Sequence, residues 1–277
     1  METIARYLPV GADPMMFILV GSLATALMSM AKAGFGGSMA LLATPMMIYA
    51  CARDGLAAAG IILPLLMVCD LISVYFWWRQ WNWRAVWMIL PGGAVGILIG
   101  WVVLHWLNQM NDKGQKDLAN AWLMTGIGVF CLWFVALQIY KARRGEGTPF
   151  RPVFWQGSFV GTAAGITSMI GHSAGPITQM YMVSQQLPKG MFVASTVLYY
   201  WIGNALKFGP YMIEGQVNPN TLIASLALVP AVVVGTVLGV YLHRRVGPRQ
   251  FTVLVYVLLS LAGVGLVIDG LRVFMRP

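Results

Sequence analysis

"GITSMIGHSAGPITQM", residues 165–180, gathers Thr167, Ser168, His172, Ser173, Thr178 and Gln179 around Gly171, Gly175 and Pro176, between strongly apolar stretches. Its reading decides the fold. Hydrocarbon supplies no hydrogen bonds, so interrupted backbone and polar side chains at membrane depth must face protein or a cavity. The stretch therefore reads as a break between two membrane segments, turned inward.

Composition places the whole chain in the same setting. Of 277 residues, 58% are hydrophobic and only 10% charged, whereas a soluble domain carries about a quarter charged residues. Several apolar runs approach or exceed the roughly 20 residues that cross a bilayer as a helix. The fold class is an all-α polytopic integral membrane protein. A net charge of +9 does not point to nucleic acid, because the basic residues cluster in short loops between apolar runs, as cytoplasmic loops of membrane proteins do. Cys51, Cys69 and Cys131 lie in or beside apolar segments without metal-type spacing, so neither a disulfide framework, a metal site nor a cofactor is expected. Glu2 and Asp13 near the N-terminus, with no basic n-region, do not read as a cleaved signal peptide.

Ten apolar segments can be marked: 15–33, 38–50, 56–78, 85–107, 119–140, 154–170, 174–187, 191–212, 222–243 and 250–271. The second of each set of five is short. "PGGAVGILIG" (residues 91–100) and "PAVVVGTVLG" (residues 230–239) share Pro, Gly and Gly at the same spacing. Stepping back from them, "GFGGSMA" falls opposite "GHSAGPI". These matches predict a first membrane repeat over 1–140, a basic cytoplasmic linker over 141–153 and a second repeat over 154–277. Charge predicts the orientation. Lys141, Arg143, Arg144 and Arg151 in the linker, Arg244, Arg245 and Arg249 in the last loop, and Arg79 and Arg84 belong inside, which puts the N-terminus outside. Arg272 and Arg276 at the far end argue weakly the other way. Five segments per repeat is an odd number, so the two halves have inverted topology.

Inverted repeats with short, Gly/Pro-interrupted segments at matching positions mark transporter binding sites. Here those positions are "AKAGFGGSMALLATP" (residues 31–45) and the opening stretch. Segments 1–2 and 6–7 are expected to form helical hairpins, re-entrant or fully crossing, whose tips meet near the midplane. Gly36, Gly37 and Gly175 let backbone approach a ligand closely, and Ser38 and Ser173 are placed to cap the following helices, whose N-termini favour an anion. Tight helix packing through small residues explains the glycines equally well. The polar side chains separate the two readings. Ser22, Thr25, Ser29 and Lys32 form one stripe, and Thr196, Tyr200, Asn204, Lys207 and Tyr211 a second. A lysine at mid-membrane costs roughly 2.5–3.5 kcal/mol on insertion scales, so Lys207, ahead of a helix-breaking Gly209–Pro210, is a functional candidate, with snorkelling as its alternative. Lys32 has the same two readings. Asp70, the one acid deep in a membrane segment, holds nearly the repeat position of Lys207 and is expected either to pair with it or to relay a proton. His172 titrates near neutral pH and is a second proton-coupling candidate, or a direct contact for the anion. His105 and His243 read as interfacial. The aromatic run "VYFWWRQWNWRAVW" (residues 74–87) reads as an interfacial belt.

"GFGGSMALLATPMM" and "GITSMIGHSAGPITQMYM", in halves joined by a basic linker, resemble the sulfite exporter TauE/SafE family of bacterial anion permeases, over essentially the whole chain. Gly34, Gly36, Gly37 and Pro45 match that family's glycine-rich tip followed by proline. Gly171, Gly175 and Pro176 match in the second half, with His172 and Ser173 where further glycine is expected. The resemblance implies movement of small sulfur oxyanions, sulfite or organosulfonates such as sulfoacetate, across the bacterial cytoplasmic (inner) membrane. The residues alone imply only a small anion, with or without protons. The expected substrate-binding set is Lys32, Gly36, Gly37, Ser38, His172, Ser173, Gly175, Gln179, Tyr200, Asn204 and Lys207, in a secondary exporter working by alternating access. A channel, or an uptake permease for another small anion, is the alternative. Oligomeric state is left open, homo-oligomer included. An enzyme is not expected: His172 and Ser173 are adjacent, so on a helix they face different ways, and no third hydrolytic partner is evident.

Overall fold

The computed structural model describes residues 5–35, 37–112, 115–144, 154–243 and 248–275. Among these residues there are ten α-helices, one for each apolar segment: α1 (Pro14–Phe35), α2 (Ala43–Ala50), α3 (Gly55–Phe76), α4 (Trp83–Asp112), α5 (Lys116–Arg144), α6 (Phe154–Gly171), α7 (Gly175–Ser184), α8 (Lys189–Ile213), α9 (Pro219–His243) and α10 (Pro248–Phe274). A 3₁₀ turn over Ser38–Leu42 precedes α2. Five helices, α1, α3, α4, α5 and α9, are long and apolar enough to cross a membrane. The 8 residues of α2 and the 10 of α7 extend only about 12 and 15 Å, at about 1.5 Å per residue. Neither spans a hydrocarbon layer of about 30 Å.

α8 corrects one expectation. It runs unbroken through Gly209–Pro210 to Ile213, as α3, α4 and α9 run through Pro64, Pro91 and Pro230. In a membrane the lost backbone bond has no water to turn to, and neighbouring helices re-satisfy it, so proline does not terminate the helix.

Packing is crosswise. The closest interfaces are α4 on α6, α9 on α1 and α5 on α10, with α3 against α8. Exchanging the two sets of five helices maps the first interface onto the second and each of the other two onto itself. The matching glycines make the first two interfaces possible. A Cβ on Gly96 would lie 2.1 Å from the Thr162 carbonyl oxygen of α6, and one on Gly235 would lie 2.3 Å from that of Ala26 in α1. Gly92 and Gly161, and Gly34 and Gly239, are closed in the same way by the facing backbone. Helices in lipid gain little from hydrophobic exclusion and associate through such close backbone contact.

Aromatic residues mark two levels. Trp78, Trp83 and Trp87 are exposed at one end, and Trp106 and Trp122 at the other. Trp83 and Trp106 are separated along α4 by about 34 Å at 1.5 Å per residue, close to the hydrocarbon thickness. Trp77 departs from the expected belt. Its indole N–H donates to the Ala33 carbonyl at 2.9 Å, and its ring meets His243 edge to face at 5.0 Å. His243, expected at the interface, is buried, with Nδ1 against the Gly34 carbonyl. The glycine at position 34 lets α9 come close enough for that contact. His105 is exposed as expected and pairs with Glu214.

Candidate functional site

Both hairpin tips close in the same way. At the first, the Gly37 N–H donates to the Ala31 carbonyl at 3.1 Å; at the second, the Ser173 N–H donates to the Thr167 carbonyl, also at 3.1 Å. Each is a bond to the carbonyl six residues back, and each needs left-handed backbone nearby: Gly37 has φ +86° and His172 φ +54°. Glycine takes that conformation freely; histidine takes it at a cost of order 1–3 kcal/mol. The tips touch through Thr44, whose hydroxyl donates to the Gly171 carbonyl at 2.8 Å.

Between them lies a small cavity of about 20 Å³, walled by α1, α3, α6, α8 and both tips. That is room for about one water. Of the expected binding residues, Lys32, Gly37, His172, Gly175, Tyr200, Asn204 and Lys207 line it. Tyr200 joins the tips: its ring lies where any side chain at Gly37 would have to go, at 2.7 Å from a Cβ there. Its hydroxyl faces the Gly175 carbonyl at 3.4 Å. Lys32 Nζ sits 4.8 Å from the Tyr200 ring centroid, within cation–π range.

Both lysines are buried, Lys207 at 0% and Lys32 at 4% exposure, which excludes snorkelling for either. Their partners differ. Lys32 forms an ion pair with Asp70 at 2.5 Å, and the second Asp70 oxygen accepts from Asn204 Nδ2 at 2.6 Å. The expected Asp70–Lys207 pair therefore does not form, because Lys32 on α1 reaches the carboxylate from the other side. Lys207 instead donates to the Ser168 carbonyl at 3.1 Å and the Ser168 hydroxyl at 3.0 Å, and its third contact is His172 Nδ1 at 3.1 Å. It has no carboxylate partner among the described residues.

The histidine tautomer follows from its neighbours rather than from observed hydrogens. Nε2 lies 3.0 Å from the Ala59 carbonyl of α3, which only accepts, so Nε2 carries the proton. Nδ1 then accepts from the Lys207 ammonium. The His172 ring thus ties the second tip to α3 and α8 at once, and those bonds hold the unfavourable backbone at that position.

Ser173 and Gln179 stand elsewhere. Ser173 is buried, but its hydroxyl donates to the Gly171 carbonyl at 2.8 Å, and Ala174 takes the α7 N-cap position without a side-chain bond. The short turn after Gly171 brings that carbonyl within the serine's reach, so Ser173 does not cap α7. Pro176, in the first turn of α7, has no N–H to offer. This helix start is therefore a poorer anion donor than its glycines promised. Gln179 reaches the Phe35 carbonyl at 3.5 Å and does not line the cavity. Gly36 and the Ser38 side chain lie outside the described residues.

Four further groups contribute that the expected binding set omits. Ser168 sits one turn before His172, on the same helix face, and its signal was present in the opening stretch. Tyr211 belongs to the α8 stripe and donates to the Met169 carbonyl at 2.7 Å. Thr44 and the Ala59 carbonyl carry no sequence signal.

Comparison with known proteins agrees with this architecture. The chain is similar to the "Probable inner membrane transporter protein TsaS" of Comamonas testosteroni, at 26% identity over 217 residues, which cover 75% of this chain and 81% of that protein. No solved structure matches it. The family described as "Sulfite exporter TauE/SafE" matches residues 17–266. The chain belongs to this family of membrane transporters.

Proposed function

We propose that the protein is a secondary exporter of small sulfur-containing anions, sulfite or short organosulfonates, working by alternating access around the cavity between the two tips. The observation that carries this reading is Lys207. A fully buried ammonium with no carboxylate partner among the described residues is costly unless something supplies negative charge, and it faces a small cavity that both tips line. Lys32, Tyr200 and Asn204 complete the wall, with His172 as the group that accepts a coupling proton.

The small size of the cavity favours a carrier over a channel. An oxyanion of several heavy atoms does not fit about 20 Å³, so entry requires the walls to part and re-form. The proposed motion rocks one repeat-built half against the other. In this reading residues 1–140 and 154–277 are inverted-topology repeats, the linker 141–153 is cytoplasmic, the N-terminus is outside, and the bilayer is an inner membrane. Crosswise packing of α4 on α6 and α9 on α1 supports the duplication. The membrane potential, inside negative, favours anion export by about 2.3 kcal/mol per charge per 100 mV.

The test is flux of labelled sulfite into and out of proteoliposomes, with Lys207→Met beside the wild type. Saturable flux, trans-stimulated by unlabelled sulfite and lost in Lys207→Met, supports a carrier with this site. Wild-type flux in Lys207→Met removes the cavity from the mechanism, and conductance without trans-stimulation makes the protein a channel.

A further inference from the structure

The charges around the cavity can be counted. Lys32 and Asp70 neutralise each other across 2.5 Å, and Asp70 is held in that role by Asn204. Lys207 and His172 share one positive charge, whichever of their facing nitrogens carries the proton. Among the described residues no other Asp, Glu, Lys, Arg or His lines the cavity. The sum is one unmatched positive charge among buried side chains, where uncompensated charge is expensive in either direction.

Resting on the proposed transport site, we propose that Asp70 sets the valence of the transported anion: by cancelling Lys32 it makes the site one for monoanions and rejects dianions. Asp70 does not line the cavity and makes no contact with substrate. It acts through the charge of Lys32, whose Nζ does face the cavity. A monoanion brings the buried cluster to neutrality, and a dianion leaves it one charge short. Sulfite then travels as hydrogen sulfite. A doubly charged sulfonate such as sulfoacetate is carried only when a proton accompanies it, on the substrate or on the Lys207–His172 pair.

The experiment uses probes of fixed charge. Methanesulfonate, a monoanion, and sulfate, a dianion, compete against labelled sulfite flux in proteoliposomes of the full chain. In wild type, methanesulfonate should inhibit at a concentration about tenfold or more below that of sulfate, from the attraction a second charge lacks in a partly desolvated site. Asp70→Asn raises the cluster to two positive charges and should move the preference to sulfate. The double variant Lys32→Met/Asp70→Asn has a single charge again and no unpaired buried partner, so it should fold even where Asp70→Asn does not, and should prefer methanesulfonate. Equal inhibition by both anions in wild type overturns the proposal, as does inhibition by neither. A wild-type preference in Asp70→Asn, or a sulfate preference in the double variant, does the same. Lys207→Met separates this from failure of the underlying reading. If Lys207→Met abolishes flux while wild type shows no valence preference, the site stands and the valence rule falls. If Lys207→Met transports as wild type does, the site itself is misplaced.

Discussion

The first tip turns on glycine and the second on histidine, and each closes with the same kind of backbone bond. Both turn through left-handed conformations, and both close on the carbonyl six residues back. At the first, Gly37 leaves room for the Tyr200 ring and contributes no side chain. At the second, His172 accepts the backbone cost and uses its ring to hold α3 and Lys207. The lysines divide likewise: Lys32 has a carboxylate, and Lys207 has a histidine. A near-symmetric scaffold thus carries asymmetric chemistry. Packing demands are the same on both sides, while in the proposed function one anion meets one uncompensated charge.

The largest expected effect tests the shared scaffold. Gly96→Val and Gly235→Val place a branched side chain where even a Cβ meets backbone oxygen at 2.1 and 2.3 Å. Each should destabilise by about 3 kcal/mol or more, since backbone cannot yield as a side chain can. Thermal unfolding in detergent reads this, and the two should suffer alike. A large loss in only one would break the equivalence of the α4–α6 and α9–α1 interfaces.

The next effect tests the asymmetry. Lys207→Met should weaken sulfite binding by roughly 1.5–3 kcal/mol, the range for hydrogen bonds to charged groups. In the half-saturation of proteoliposome flux that is a rise of about 10- to 100-fold. Fold stability should change little, because the variant removes a buried charge rather than orphaning one.

Two smaller effects sharpen the picture. Trp77→Phe removes the bond to the Ala33 carbonyl and should cost about 1 kcal/mol, while exposed Trp78→Phe should stay within about 0.5 kcal/mol. Chemical denaturation of the pair distinguishes an interior indole from a belt one. A small stability change is also expected for His172→Gly, which replaces the left-handed histidine of the second tip by glycine. Relief of left-handed strain, of order 1 kcal/mol, offsets the lost ring bonds, so stability should hold within about 1 kcal/mol of wild type. The response of flux to a pH gradient should disappear. A retained response assigns proton coupling elsewhere.

Legibility followed the kind of interaction. The α8 stripe, with Tyr200, Asn204 and Lys207, was readable because helical periodicity puts such positions on one face, and all three line the cavity. Gly34 and Gly96 were readable as repeated small residues but not as contact points, since their partners lie on distant helices. Asp70 is legible as buried, but of its two expected roles the pairing with Lys207 fails, since Lys32 takes the carboxylate. Repeat position ranks it with Lys207, but only packing of α1 against α3 and α8 tells which lysine reaches it. Ser173 was misread as a cap because capping depends on the φ and ψ of a three-residue turn, which composition does not specify.

By itself the sequence determined the membrane class, the ten segments and the two glycine-interrupted tips, which rest on composition, period and local spacing; the family came from the resemblance of the tip motifs and the match over residues 17–266. Tertiary structure alone decided that Lys32 belongs to Asp70 and Lys207 to His172, that Trp77 and His243 turn inward, and that a cavity lies between the tips. Those outcomes depend on which side chains meet across helices far apart in the chain. A buried charge selects its partner by distance in space, and no one-dimensional pattern encodes that distance.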